Sequence, residues 1–336
     1  MIAALRQLIE GFANRMRRGR PRNAEIPRRV VPSAAAKPLN AAVPPRTAAS
    51  VSPTDGLPPR LGPYAIGRRL AHGAMGAVHL ATDRDGREVA IKTMAIDVKQ
   101  DGASRADARQ RFFREAEAAR RLQHPGIVAV LDVGEERGIG YIAMELLHGS
   151  DLRVHCRTET LLPVPRALAI AARIAQALAY AHTQGIVHRD VKPANVMVDL
   201  AADSVKITDF GIARLADASR RTQTGLLLGT PTYISPEQLL GQPIDGRADL
   251  YSLGVLLFEL LTGRLPFEAD AMSRLMQLIV NQPAPDVRTL RPELPDALTP
   301  LLQRALEKQP AARFADGLEL ANALQRVIES SASAGA

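Results

Sequence analysis

A short block of chemically distinct side chains near the middle of the chain most constrains its fold. The block runs from His188 to Asn195, and Asp209 follows fourteen positions later. Asp190 is an acid that can accept a hydroxyl proton, and Lys192 can offset charge on a transferring phosphate. Asn195 and Asp209 supply the hard oxygen ligands that Mg2+ prefers. These groups, separated by enough chain for a short hairpin, predict phosphoryl transfer from Mg-ATP to a hydroxyl.

The block resembles the catalytic loop of eukaryotic-like protein kinases, and Asp209-Phe210-Gly211 resembles their metal-binding motif. The resemblance covers about residues 64–327 and looks most like that of bacterial Hanks-type serine/threonine protein kinases. It implies an α+β, two-lobed fold. A small β-rich N-lobe is expected at 64–145 and a larger helical C-lobe at 150–327.

The resemblance also implies roles for single residues of the C-lobe. Asp190 and Lys192 are expected to be catalytic, and Asn195 and Asp209 are expected to hold Mg2+, with Mn2+ as an alternative ion. Thr230 would bridge Asp190 and Lys192, an arrangement of serine/threonine rather than tyrosine kinases. The implied cofactors are ATP and Mg2+.

A glycine-containing stretch before the first buried lysine resembles the loop that covers the phosphates of ATP. Glycine lets backbone amides approach phosphate oxygens closely, but Ala71 stands where the family pattern has its first glycine, so we expect altered nucleotide affinity. The nucleotide-binding residues that the resemblance implies are Leu70, Gly73, Gly76, Val78, Ala90, Lys92, Met144, Glu145, Leu147, Asn195 and Asp209.

Lys92 lies in an apolar strand and therefore needs an anionic partner, since an unpaired buried ammonium is costly. Glu115 and Glu117 both lie on the predicted helix 106–122, about 200° apart around its axis. Phe112 and Leu122 define the inward face, which favours Glu115. The family resemblance likewise makes Lys92 and Glu115 a catalytic pair.

The segment after Ile142 resembles the hinge that binds adenine. Main-chain groups of Glu145 and Leu147 would bond to the base, and the Met144 side chain would line the back of the pocket. The alternative interpretation is simply the end of a buried strand.

Control of the enzyme is expected in the segment between Gly211 and Glu237. Thr222 and Thr224 resemble the paired activation-loop threonines of bacterial relatives, and a phosphate there could pair with Arg189. The alternative is that both are solvated loop hydroxyls. Two supports are also implied: Asp249 would accept bonds from the catalytic-loop backbone, and Arg313 would pair with Glu237.

The excess positive charge is confined to the start of the chain. Residues 1–60 carry eleven Lys or Arg and three acids, and the remaining residues carry thirty-two of each sign. Residues 1–20 predict a basic amphipathic helix, which would pack on the protein itself, contact a partner or lie on an anionic membrane surface. Residues 21–60 predict a disordered Pro/Ala/Arg-rich linker, and residues 328–336 a disordered tail.

The remaining composition narrows the class of protein. One cysteine, Cys156, excludes an intrachain disulfide framework, and no apolar run is long enough to span a bilayer, so we expect a cytoplasmic protein. The expected partners are protein substrates and a second copy for autophosphorylation in trans. Nucleic acid is not expected, because the basic tail lacks interleaved aromatics. The alternative to an active kinase is a pseudokinase-type nucleotide-binding scaffold. Loss of one of the key residues would favour it, but the sequence retains all four of them: Lys92, Asp190, Asn195 and Asp209.

Overall fold

The N-lobe of the computed structural model is built around one antiparallel sheet. The structure describes residues 57–73, 76–95, 105–210 and 232–334. Its strands are β1 (Arg60–Leu61), β2 (Tyr64–Gly73), β3 (Gly76–Thr82), β4 (Glu88–Ala95), β5 (Val130–Glu136) and β6 (Ile139–Glu145). Their order in the sheet is β1-β2-β3-β4-β6-β5.

The two-residue period of a strand separates two apolar clusters on the faces of this sheet. On one face Val89 and Ile91 pack with Tyr141. On the other face Ile142 and Met144 pack beneath a helix. Lys92, which is opposite Ile142 in the sheet register, therefore points to the helix-covered face.

The sheet begins before the predicted start of the domain. Leu61 is fully buried and pairs with Tyr64, although residues up to 60 were predicted to be a disordered linker. Described structure starts at residue 57, and the amide of Ile66 donates to the carbonyl of Pro59. The linker prediction is wrong for this end, because two residues of strand give too little periodicity to detect.

Helix α1 (Arg105–Arg120) covers the inner face of the sheet. Its buried positions include Phe112, Glu115 and Ala116, whereas Glu117 is exposed and pairs with Arg120. The choice of Glu115 as the inward-facing carboxylate is confirmed.

The apolar run 127–131 indicates a strand of the N-lobe, but this interpretation is wrong for the first half of the run. Val128 donates its amide to Ile207, and Ile207 donates to Gly126, both at 2.9 Å. Residues 126–128 thus pair with the C-lobe strand that contains Ile207, and β5 begins only at Val130. Backbone bonds therefore join the two lobes here.

The C-lobe is mainly helical. Its two most apolar helices span Val164–Thr183 and Arg247–Thr262, and the long apolar runs 166–182 and 250–261 indicate core helices at the same places. Its helices are α2 (Val164–Thr183), α3 (Pro236–Leu239), α4 (Arg247–Thr262), α5 (Met272–Asn281), α6 (Leu298–Ala305) and α7 (Gly317–Ala334). A three-stranded sheet has the order β7 (Ser150–Asp151), β8 (Val196–Asp199) and β9 (Ser204–Ile207). Nearly every residue of α4 from Ala248 to Thr262 is buried, so this helix forms the centre of the lobe.

The last helix runs further than the sequence indicated. Residues 328–336 were predicted to be disordered, but α7 continues to Ala334. Ile328 packs against the core of the C-lobe. The hydroxyls of Ser330 and Ser331 donate to the carbonyl of Val327. The apolar contact of Ile328 and these local hydrogen bonds extend α7 beyond the point that composition alone predicts.

Candidate active site

The β8–β9 hairpin brings the two halves of the predicted site together. Asn195 immediately precedes β8 and Asp209 follows β9, and Val196 pairs with Ile207 at the open end of the hairpin. The amide of Thr208 donates to the carbonyl of Asn195 at 2.9 Å. An antiparallel hairpin places its first and last residues side by side, so both oxygen ligands lie on one edge.

Two catalytic-loop side chains converge on the carboxylate of Asp190. Lys192 Nζ lies 2.7 Å from Asp190 Oδ2, and Asn195 Nδ2 donates to the same oxygen at 3.0 Å. Asn195 Nδ2 also donates to the carbonyl of Asp190 at 2.8 Å. Within the described residues both side-chain bonds fall on Oδ2, so Oδ1 is the oxygen of Asp190 that can receive a substrate hydroxyl.

The loop backbone is held from below by Asp249 on α4. Its carboxylate accepts from the amides of His188 and Arg189 at 2.8 and 2.7 Å, as the sequence predicts. It also bonds to His182 Nε2 at 2.8 Å. Arg189 has φ of 67°, a left-handed conformation that a side chain rarely adopts. Such strain recurs at functional sites.

His188 is a packed histidine and not a base. Its side chain is fully buried, and its ring lies edge-on to Phe210 with centroids 4.6 Å apart. Nε2 is 2.8 Å from the carbonyl of Thr208, and Nδ1 accepts from the amide of Asp190. The ring thus ties the catalytic loop to the metal motif.

The ion pair of Lys92 differs from the one predicted. Among the described residues, Lys92 Nζ pairs with Asp209 at 2.7 Å and not with Glu115. Lys92 is 6 % exposed, so it has the anionic partner that its burial demands. Both carboxylates lie near this face, and the helical pattern could not determine which one the ammonium meets. Asp209 also has a left-handed φ, of 66°.

The backbone at Gly76 explains why glycine stands there. Its φ is 132°, and a Cβ would come within 1.9 Å of the carbonyl oxygen of Thr93. Gly76 pairs with Gly73 across the turn between β2 and β3. Ala71 pairs with Val78, which in turn pairs with Lys92. The register thus places the glycine turn beside β4, the strand that carries Lys92.

The predicted hinge segment follows β6 and is tied to the C-lobe. Met144 and Ala90 are opposite each other in the register, and both are buried. Glu145 accepts from Lys206 Nζ at 2.6 Å and from the amide of Ala129 at 2.7 Å. A small pocket next to Met144 is lined by Ala119, Ile127, Val128, Val130, Ile142, Met144, Asp209 and Phe210.

The end of the activation segment is anchored on α4 and on the loop before α7. Arg313 forms two bonds with Glu237, at 2.7 and 2.8 Å, and both side chains are buried, as predicted. Tyr233 donates its hydroxyl to Glu259. Burial raises the pKa of the Glu259 carboxyl, and the hydrogen bonds from Tyr233 and Cys156 oppose that rise. Thr222, Thr224 and Thr230 lie outside the described residues.

Two side chains of this site were missed by the sequence reasoning. His182 bonds to Asp249 from the last turn of α2, and Gln238 donates to the carbonyl of Arg189. Gln238 had a local signal: Ser-x-x-Gln at the start of a helix is typical of a capping box. His182 carried no signal that separates it from an ordinary helix-end histidine.

The donor set fits a magnesium ion. The amide nitrogen of Asn195 is bound to Asp190, so its oxygen faces away from that carboxylate, and the Asp209 carboxylate lies at the same hairpin edge. Mg2+ is held in proteins by one or two such oxygens plus substrate phosphates and water.

This fold and site define a class of protein that transfers phosphoryl groups. That chemistry uses a buried lysine, a glycine turn, a carboxylate held by two hydrogen-bond donors and two side-chain oxygens that can bind a metal. Residues 64–326 match the model of the protein kinase domain, and the chain belongs to the protein kinase family. Within that family it groups with the bacterial Hanks-type serine/threonine kinases.

Comparison with curated proteins gives bacterial relatives. The chain is 41% identical over 278 residues to the serine/threonine-protein kinase PknJ of Mycobacterium tuberculosis, covering 81% of this chain and 46% of the relative. It is 42% identical over 278 residues to PknB of Mycobacterium leprae, covering 80% and 44%. The chain thus spans less than half the length of these relatives.

Comparison with solved structures gives the same family. The crystal structure of the Mycobacterium tuberculosis PknI kinase domain superposes with a TM-score of 0.64 at 33% identity. The match covers 80% of this chain and 97% of that one. Within the described ranges, none of the helices combines the length and the apolarity that crossing a bilayer requires.

Proposed function

We propose that the chain is an Mg-ATP-dependent serine/threonine protein kinase. One observation carries the proposal. A single carboxylate oxygen of Asp190 accepts hydrogen bonds from Lys192 and Asn195, and Asn195 lies at the open end of the hairpin that also carries Asp209. This leaves the other carboxylate oxygen of Asp190 available to accept from a substrate hydroxyl. Family membership supports the same reaction.

When bound, Mg-ATP supplies the phosphoryl group and the metal that neutralises its charge. Asn195 and Asp209 would hold the metal through their side-chain oxygens. Gly73 and Gly76 would let backbone amides approach the phosphates, and Lys92 would contact the α- and β-phosphates. Because Lys92 pairs with Asp209 at 2.7 Å, it has to exchange that carboxylate for phosphate oxygens in the working complex.

Asp190 would orient the serine or threonine hydroxyl and accept its proton on Oδ1. Lys192, bonded to Oδ2 at 2.7 Å, keeps the carboxylate from turning and brings a positive charge to the transferring group. Thr230 would close this arrangement by bridging Asp190 and Lys192. The protein then contributes position and electrostatics rather than covalent chemistry.

Control is proposed to act through autophosphorylation of Thr222 and Thr224. A phosphate carries nearly two negative charges and would pair with Arg189, whose backbone conformation sets the position of Asp190. Such phosphorylation in trans would involve a second copy of the chain. The basic segment 1–20 is proposed to contact a partner or an anionic membrane surface, and the kinase is proposed to act in the cytoplasm.

Phosphopeptide mapping tests this function. The purified chain is incubated with Mg-ATP and a mixture of peptides that differ only in serine, threonine or tyrosine as acceptor, and the products are mapped by mass spectrometry. Transfer to serine and threonine is expected, together with phosphate on Thr222 or Thr224. Labelling of tyrosine alone, or of no residue, contradicts the proposal. An unmodified activation loop in an active enzyme contradicts only the regulatory part.

A further inference from the structure

The side-chain amide of Gln238 joins the end of the activation segment to the catalytic loop. Its Oε1 accepts from the amide and the hydroxyl of Ser235, at 3.1 and 2.9 Å. Its Nε2 donates to the carbonyl oxygen of Arg189 at 2.9 Å. A backbone amide must donate and a carbonyl must accept, so this orientation of the amide is the one the chemistry allows.

The carbonyl that Gln238 holds belongs to the peptide that links Arg189 to Asp190. The N–H of the same peptide belongs to Asp190 and donates to His188 Nδ1 at 3.2 Å. A peptide unit is planar and turns as one body. Gln238 therefore holds the carbonyl and His188 holds the N–H of the peptide plane to which the Cα of Asp190 is attached. A rotation of that plane moves the Asp190 carboxylate.

This peptide follows a strained residue, which makes its restraints necessary. Arg189 has φ of 67°. Such a conformation is strained and persists only where the surroundings impose it. The amide of Arg189 is held by Asp249 at 2.7 Å, and its carbonyl is held by Gln238. Removing Gln238 takes away the bond to the carbonyl of this peptide and leaves the bond from its N–H to His188.

Gln238 is itself fixed in place. It lies in the short helix α3, next to Glu237, whose carboxylate is bound twice by Arg313. Its own oxygen is occupied by Ser235 at the start of that helix. The amide nitrogen therefore projects from an anchored turn toward the catalytic loop.

We propose that Gln238 is a positioning residue for phosphoryl transfer, which acts on Asp190 through the Arg189–Asp190 peptide. This inference rests on the proposed kinase function. It makes the anchored end of the activation segment a direct support of the catalytic base, so that displacement of α3 turns the peptide that carries Asp190.

The isosteric substitution Gln238→Glu tests the proposal. It keeps an oxygen for Ser235 but sets a carboxylate oxygen against the Arg189 carbonyl in place of a donor. At neutral pH we expect kcat to fall about 10- to 100-fold, as for a small misplacement of a reacting group, with KM for ATP within about twofold. A protonated carboxyl regains an O–H donor. The ratio of variant to wild-type kcat should therefore rise as the pH is lowered from about 8 toward the glutamate pKa, ~4.3 in a free peptide.

The exposed Gln303 provides the matched control, since Gln303→Glu makes the same chemical change away from hydrogen bonds of the loop. Its kcat ratio should stay near one at every pH. Equal kcat for Gln238→Glu and wild type overturns the proposal. The proposal is also overturned if kcat is lower, the ratio of variant to wild-type kcat does not recover on acidification, and thermal stability falls to a matching extent. That is the result expected of a merely structural role.

A wild-type chain without transfer activity would contradict the proposed kinase function, and a readout that does not need activity then decides about Gln238. Hydrogen–deuterium exchange of the segment 186–192 in the full chain is compared between wild type and Gln238→Ala. Faster exchange of the Arg189 and Asp190 amides supports the positioning role. Unchanged exchange overturns it.

Discussion

Lys92 and Asp209 form an ion pair at 2.7 Å, with the lysine side chain almost fully buried. The lysine is expected to bind phosphate and the aspartate is expected to bind the metal. In this structure the charges of these two proposed Mg-ATP ligands are paired with each other. Their effects on nucleotide binding must therefore be coupled, because residues in contact share their interaction energy.

We predict that Lys92→Met and Asp209→Asn are non-additive in Mg-ATP affinity. Each single substitution should weaken binding, and the double substitution should deviate from their sum by about 0.5–3 kcal/mol. Calorimetric titration of the four proteins with Mg-ATP measures this coupling. Combining Asp209→Asn with the surface substitution Arg326→Met is the control and should be additive; additivity for Lys92 as well would refute the coupling.

Arg313 and Glu237 form a buried pair whose loss on one side should be severe. Arg313→Met leaves the Glu237 carboxylate, 3% exposed, without its cation. We expect a loss of about 3–5 kcal/mol in the free energy of unfolding, measured by denaturant titration. The double variant Arg313→Met/Glu237→Leu should recover part of that loss, because the buried charge is gone. A small effect of the single substitution would mean that the pair does not anchor the segment.

Lys308 should make stability depend on alkaline pH. Burial, and next the charge of Arg313, lower the pKa of Lys308 to about 8, whereas a lysine in the unfolded chain titrates near ~10.4. Between these values the unfolded chain binds the extra proton, so the cost of the buried charge is fully present below pH ~8 and is relieved as the pH rises.

The substitution Lys308→Met removes this titration. The variant should be more stable than wild type at pH ~7, and the difference should shrink toward pH ~10. In the wild type, Lys308 Nζ lies 4.1 Å from the ring centroid of Phe267, so loss of this cation–π contact offsets part of the gain in stability. Denaturant titrations at several pH values measure the trend, with the exposed Arg326→Met as a pH-independent control. A constant difference across this range would show that Lys308 stays charged in the folded protein.

Gly246 and His182 offer a test of the support beneath the catalytic loop. A Cβ at Gly246 would lie 2.4 Å from the His182 ring, so Gly246→Ala should displace the ring from Asp249. We expect kcat to fall roughly tenfold while KM for ATP changes little, because Asp249 holds the loop and not the nucleotide. Steady-state kinetics measure both constants. Gly86→Ala, at a positive φ of 81° in an open turn, should cost stability without this loss of kcat; equal kcat effects for the two variants would argue against the His182 contact.

Much of this site could be predicted because its signals are local. The helical period distinguished Glu115 from Glu117, and the hairpin between Asn195 and Asp209 followed from the length of chain between them. What failed depended on distant partners or on very short elements. The Lys92 ion pair depends on which of two carboxylates tertiary packing brings nearer. Gln238 lies forty-nine residues from the carbonyl it binds, so no local pattern could reveal the contact.

The most direct measurement is the rate of phosphoryl transfer by Asp190→Asn compared with wild type. The full chain, Mg-ATP and a threonine peptide are used, and Asp270→Asn, an exposed aspartate, is the matched control. A general base contributes about 10²- to 10⁴-fold, so Asp190→Asn should lose at least that much while Asp270→Asn keeps the wild-type rate. Equal phosphate transfer by Asp190→Asn and wild type would contradict the account.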